Sequence, residues 1–172
     1  MSAAHLTGKE IILDDDTLIV SKTDPHGRIT YVNRTFIEIS RYPEIRLLGA
    51  QHSVIRHPDM PRCVFKLLWD SVTAGREIFA YVVNRASDGD HYWVVAHVTP
   101  SFSEDNRIIG YHSNRRKADP PSIARIEAIY GDLARIERQA ADSKLGLRQS
   151  FQALTDMLAN KGMEYDEFVL SL

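Results

Sequence analysis

A single cysteine, Cys63, stands among 172 residues, which excludes an intramolecular disulfide or a thiolate zinc site and fits a reducing compartment. Long apolar runs are missing too: nothing approaches the roughly 20 consecutive apolar residues of a membrane-spanning helix. The start, Met1-Ser2-Ala3-Ala4-His5, lacks the basic-then-apolar order of a secretory signal. Charge of one sign is not in excess. Lys and Arg number 21 against 23 Asp and Glu, a formal net charge of −2, so neither nucleic acid nor an acidic membrane is the expected partner. These absences predict a soluble cytoplasmic protein with one substantial core and an appendage.

What is present is organised around His52-Ser53-Val54-Ile55-Arg56-His57-Pro58-Asp59-Met60-Pro61, which gathers two imidazoles, a guanidinium, a carboxylate and two prolines in ten residues. The apolar-periodic run Val64-Phe65-Leu67-Leu68-Trp69-Val72 follows. Pro58 biases His57 towards an extended conformation, and Asp59 and Pro61 suit the first turn of a helix starting near Met60. The free N–H groups of that helix start, beside Arg56 and two histidines, suit an anionic or hydrogen-bonding ligand. The same residue types also suit a bland role, in which Asp59 only caps the helix and the histidines are ordinary surface residues.

Upstream, residues 1–16 end in Asp14-Asp15-Asp16 and read as a mobile or docking cap. Residues 17–23 and 28–32 are rich in β-branched side chains and flank the turn Asp24-Pro25-His26-Gly27, a hairpin pattern. Asn33 is placed to cap a helix over 34–40, and Tyr42-Pro43-Glu44 restarts a short helix that stops at Gly49. After the helix from Met60 to Ala74 come three strands, 78–85, 92–102 and 107–114, joined by polar turns. The pattern predicts an α+β domain over 17–117, with a five-stranded antiparallel sheet and helices inserted between strands 2 and 3. Such a sheet either buries a core against those helices or holds a ligand there.

Ala118-Asp119-Pro120-Pro121-Ser122 reads as a linker ending in an N-cap, and residues 118–172 as a C-terminal helical extension. Ile123, Ile126, Tyr130, Leu133, Ala140, Leu147, Phe151, Leu154 and Leu158 form a heptad-like stripe interrupted by Glu137 and Lys144. Gly146 is expected to divide it, Gly162 to follow its end, and residues 163–172 to give a short amphipathic tail. The stripe is equally a dimerisation surface and a core face.

Several of these pieces resemble the PAS domains of bacterial aerotaxis, or energy-taxis, receptors. They are Asn33-Arg34-Thr35-Phe36 with Ile39-Ser40-Arg41-Tyr42, Arg56-His57-Pro58-Asp59-Met60-Pro61 with Phe65 and Trp69, and Asn84-Arg85, Gly89-Asp90-His91-Tyr92-Trp93-Val94 and Ile109-Gly110-Tyr111. The resemblance covers about residues 14–117 and implies a PAS fold. It further implies non-covalently bound FAD and a report of redox state or oxygen to a methyl-accepting chemotaxis-type transducer. Arg56, His57 and Asp59 match flavin-binding positions of the family, Trp69 an aromatic beside the cofactor, and Asn33 and Asn84 pocket amides; His52 joins them as the first imidazole of the central stretch. Arg56 suits a phosphate by its bidentate geometry, and the Asn84 amide presents either face to a flavin ring. Where the family has Pro-Trp-x-Gly this chain has Glu77-Ile78-Phe79-Ala80, which removes an aromatic and adds a methyl group at or near the pocket.

Two other readings stay open: a haem sensor ligated by His52 or His57, and a ligand-free interaction module. No nucleophile or acid–base pair points to an enzyme. His91, His97 and His112 alternate along the last strands without metal-ligand spacing, and Cys63 lacks the sequence context of a flavin-adduct cysteine. Tyr92 and Trp93 point to opposite sheet faces, one to the core and one to an outer face available for homodimer or effector contacts.

Overall fold

The β-branched segments and the Asp24–Gly27 turn form a hairpin of β1 (Ile19–Thr23) and β2 (Ile29–Val32). The Asp24 side chain accepts from the N–H groups of His26 and Arg28, and Gly27 takes φ +78°, the left-handed conformation the turn requires. In this computed structural model, which describes residues 5–172, the chain continues through α1 (Arg34–Ser40), α2 (Glu44–Leu47), a 3-10 turn (His52–Ile55) and α3 (Arg62–Thr73). Then come β3 (Ile78–Arg85), β4 (His91–Phe102) and β5 (Ile108–Lys117), and finally α4 (Pro120–Gln139), α5 (Ser143–Lys161) and α6 (Tyr165–Leu170). The five strands make one antiparallel sheet in the order β2-β1-β5-β4-β3, as the pattern of the sequence predicts.

The two sheet faces are used differently. The inner face packs against α1 to α3 over a core that includes Ile19, Ile29, Phe36, Leu47, Ile55, Val64, Val72 and Val94, each under 2% exposed and each contributing roughly 1.5–3 kcal/mol by burial. Tyr92 faces this side. Trp93 points to the outer face, where its ring stacks 6.3 Å from Tyr130 of α4. The N-terminal segment docks beside the start of β4: Ile11 N–H donates to His91 O, His91 N–H to Lys9 O, and Thr7 Oγ1 to Asp90 at 2.6 Å. Met1 to Ala4 of the expected cap lie outside the described residues.

The C-terminal helices fold back on their own domain. α4 and α5 pack on each other, α5 on α3 and α6 on β3, and the stripe residues Ile126, Tyr130, Leu133, Leu154 and Leu158 are buried. Much of this serves the edge strand β3. Its outward Phe79 N–H donates to Asp166 Oδ1, its Tyr81 C=O accepts from the Tyr130 hydroxyl, and its Val83 N–H meets Met60 Sδ. An edge that would otherwise offer unpaired backbone groups is closed.

Several local expectations are corrected. α3 starts at Arg62 with Pro61 as N-cap, so Asp59 precedes the helix and does not cap it. α4 starts at Pro120, capped by Asp119, whose carboxylate accepts from Ser122 N–H and Oγ; Ser122 is inside the first turn. Gly146 does not divide the extension. The break falls at residues 140–142, and Gly146 lies in α5 at its crossing with α4, where an added Cβ would sit 2.7 Å from Glu137 O. The last strand also runs to Lys117, past the expected Asn114.

Candidate ligand-binding cavity

Between α3 and the inner face lies a cavity of about 440 Å³, within the range of small-molecule sites, roughly 300–1,000 Å³. Its existence follows from residue size and register. On the sheet side the walls are small or short: Ser21 pairs with Ser113, Ser113 with Val98, and Ala96 lies between Val98 and Val94. Opposite them α3 presents Phe65, Leu68, Trp69 and Val72, so the slot is largely apolar. Trp69 rests edge-on to Tyr111, 5.5 Å away, and over Gly27, where any Cβ would meet the indole at 3.0 Å. The Glu77-Ile78-Phe79-Ala80 departure leaves the slot in place. Ile78 and Ala80 are buried short of its wall, and Phe79 faces outward, stacked flat on His97 at 4.1 Å.

The charge on the walls is one-sided. Arg56, Arg62, Lys66 and Arg115 line the cavity and, among the described residues, no Asp or Glu does. Two of these cations are committed elsewhere, Arg62 to Glu137 and Lys66 to Asp70. Arg56 lies over the Phe65 ring at 4.2 Å, and its guanidinium reaches the Met60 carbonyl at 3.4 Å; burial lowers its pKa. Arg115, only 4% exposed on β5, donates to Ser21 Oγ at 3.1 and 3.2 Å and to His52 Nε2 at 2.6 Å. Neither has a carboxylate partner among the described residues. Burial pulls the Arg115 pKa down to about 10, so it remains a cation at neutral pH. Burial and the Arg115 charge push His52 well below its ordinary value. A guanidinium cannot accept, so neutral His52 accepts at Nε2 and carries its proton on Nδ1. Two further polar atoms of the wall, Asn84 Nδ2 and Ser113 Oγ, are buried without any hydrogen-bond partner.

Of the seven residues singled out from sequence, the fold brings four together at this cavity: His52, Arg56, Trp69 and Asn84. The other three lie outside its wall. The Asn33 amide is spent as a bracket, accepting from Val20 and Phe36 N–H and donating to Leu18 O, all within 3.0 Å. His57 is buried against His91, 5.7 Å away, with Nδ1 accepting from Asp59 N–H, while the Asp59 side chain is 74% exposed. The anion-seeking helix start is filled from within: Glu137 accepts from the N–H groups of Arg62 and Cys63, from Arg62 Nε and from Ser150 Oγ. Cys63 is buried outside the wall, and burial raises its thiol to about 11, which keeps it protonated. Ser21, Ser113 and Arg115 were not legible as site residues, because on β1 and β5 they are short polar segments whose inward parity shows only once the register is known. Among the described residues no cluster of potential ligands for a metal ion occurs, and no helix is long and apolar enough to cross a membrane.

Comparison with known proteins fits this architecture. The aerotaxis receptor of Escherichia coli is 39% identical over 129 residues, covering 75% of this chain and 25% of the receptor. The bacterioopsin transcriptional activator of Halobacterium salinarum is 26% identical over 152 residues, 86% of this chain and 20% of that protein. The chain thus spans about a quarter or less of the length of these relatives. Among solved structures, the dark state of the blue-light photoreceptor Aureochrome1 LOV superposes with a TM-score of 0.55 at 22% identity, over 69% of this chain and 86% of that one. The family model for the PAS fold matches residues 29–115, a span that takes in β2 through most of β5 with the inserted helices, and the chain accordingly belongs to the PAS family.

Proposed function

We propose that this chain is a cytoplasmic redox or oxygen sensor that holds FAD non-covalently in the cavity beneath α3 and signals by conformational change to a methyl-accepting transducer of energy taxis. The observation that carries this reading is the cavity itself: among the described residues, an apolar slot walled by four cations and no acid, with two buried polar atoms lacking partners. A planar aromatic ring with hydrogen-bonding edges and an anionic tail matches that donor set. Arg56 serves the phosphates, as a guanidinium without a competing carboxylate. Phe65, Trp69 and Val72 form the slot for the ring, and the unpartnered Asn84 amide and Ser113 hydroxyl supply its edge contacts. The flavin, when bound, supplies reversible proton-coupled electron transfer. The chain's own part is to convert a changed hydrogen bond at Asn84 into movement of β3, the strand on which Asn84 sits and which α4 and α6 grip through Tyr81 and Phe79.

The geometry disfavours a haem ligated here, since His52 Nε2 is engaged by Arg115 and His57 lies outside the wall. The Ser21 hydroxyl lies 3.2 Å from His52 Nε2 in the wall, but that nitrogen is taken up by Arg115 and is not free to act as a base, which supports a sensing rather than a catalytic role. The stripe of α4 and α5 is used internally, so homodimerisation falls to the open outer face around Lys22 and Tyr31.

The test is the visible spectrum of freshly purified protein and its reconstitution with FAD. The expected result is the absorption of oxidised flavin, lost in Arg56→Ala and Asn84→Ala chains that remain folded. Protein that is colourless and takes up no FAD would overturn the proposal.

A further inference from the structure

The cations lining the cavity differ in depth. Arg56, Arg62 and Lys66 sit on the α3 side, partly exposed or at the rim, where a phosphate keeps part of its hydration. Arg115 is deeper, 4% exposed on β5 between Ile19 and Ala96, with the Phe36 ring 5.5 Å away. Its neighbours are a hydroxyl and an imidazole, both neutral. A buried cation with only neutral partners is costly unless something else supplies a negative charge. His52 is locked with its lone pair towards Arg115, so the arginine is held in one orientation rather than free to swing out. On that flavin reading the more exposed cations serve the phosphates, and the deeper Arg115 therefore answers a different charge.

Resting on the flavin reading above, we propose that Arg115, oriented by His52 and Ser21, faces the part of the ring that becomes negative on reduction and so sets the potential at which the sensor responds. Two electrons from an external donor and one proton turn the neutral oxidised ring into a monoanion, the proton going to N5 and the charge spreading over N1 and the adjoining carbonyl. Arg115 then gains the partner it lacks in the apo protein, whereas the oxidised ring leaves it uncompensated. Binding the reduced form more tightly than the oxidised form makes the potential more positive.

The experiment uses the full chain stripped of flavin and reloaded with FAD or with riboflavin, which has the ring but no phosphate. Midpoint potentials are measured by dithionite titration against reference dyes for wild type, Arg115→Lys and Arg115→Met. The expected result for Arg115→Met is at least a tenfold loss of preference for the reduced form with either flavin, equivalent to about 30 mV more negative for a two-electron couple. Arg115→Lys, which keeps the charge, should fall between Arg115→Met and wild type. The melting temperature of apo Arg115→Met should equal or exceed that of wild type, since a purely structural arginine would lower it on removal. Should Arg115→Met not fold, Arg115→Gln decides by the same titration. An unchanged potential in bound flavin, or a loss of FAD affinity with an unchanged riboflavin potential, overturns the proposal and leaves the flavin reading intact. Wild-type protein that takes up neither flavin overturns both.

Discussion

Two buried charged clusters lie on either side of α3, and they are built in opposite ways. At its N-terminus the Glu137 carboxylate is saturated: two backbone N–H groups, the Arg62 guanidinium and the Ser150 hydroxyl all donate to it, and Arg62 reaches on to Ser143. Beneath the helix, Arg115 has a hydroxyl and a neutral imidazole and no acid, with Asn84 Nδ2 and Ser113 Oγ unpaired around the same space. A saturated buried charge is a fastener, here joining α3 to the α4–α5 hairpin across about 75 residues of sequence. An unsaturated one marks where a partner from outside belongs. The difference separates polar residues spent on the fold from those left unsatisfied at the cavity more sharply than residue type does.

The largest effect should come from breaking the fastener. Glu137→Ala strands the Arg62 charge and two helix N–H groups, and is expected to cost about 3–5 kcal/mol in urea unfolding. If stability changes little, Glu137 is not what ties the extension to α3. The same carboxylate carries a pH signature. Burial alone would raise its pKa, but hydrogen bonds from the Arg62 backbone, Ser150 and Cys63 together hold it lower than usual. A depressed folded pKa gives stability that is full above the unfolded value of about 4.3 and is lost as pH falls through the folded value. Glu137→Gln should flatten that acid limb of the stability curve, and an unaltered limb would assign it to other carboxylates.

Next in size is Asn33→Ala, which removes an N-cap and leaves groups of Leu18 and Val20 unpaired, for an expected loss of about 2–3 kcal/mol. Flavin affinity per folded molecule should not change, in contrast to Asn84→Ala. Affinity lost by both alike would dissolve the distinction between bracket and wall. At the α4–α5 crossing, Gly146→Ala adds a methyl group 2.7 Å from a carbonyl oxygen. Overpacking of about 1–3 kcal/mol, offset by about 1 kcal/mol of helix propensity, should leave a net destabilisation near 1 kcal/mol by thermal melting. A stabilised variant would show that the crossing relaxes freely. The smallest effect belongs to Asp59→Ala, an exposed side chain, with stability expected within about 0.5 kcal/mol of wild type and unchanged FAD uptake on reconstitution. Loss of flavin from that variant would extend the site beyond the cavity wall.

Much of the fold was legible locally. Asp24 and Gly27 announce their turn, Asn33 its cap, Gly162 its helix end at φ +64°, and the β-formers of β3 and the alternation of β4 their strands. Of the candidate cavity wall, Arg56, Trp69 and Asn84 were legible by resemblance. Asn33 and Asp59 carry the same family signature yet point elsewhere, because a motif match assigns a residue type without saying which hydrogen bonds will consume it. Glu137 looked like a flaw in a hydrophobic stripe, since its partners, Arg62 and Cys63, lie far upstream.

By itself the amino-acid sequence determined the order and kind of the elements, the sheet they make and the family to which they belong, because turns, caps and periodicity act between residues a few positions apart. Only the tertiary structure decided that the C-terminal helices close the β3 edge, that Glu137 fills the helix start and that Arg115 is left without an acid. Those outcomes depend on which side chains meet after distant segments pack, and a buried charge is matched or unmatched only with respect to neighbours that the fold itself supplies.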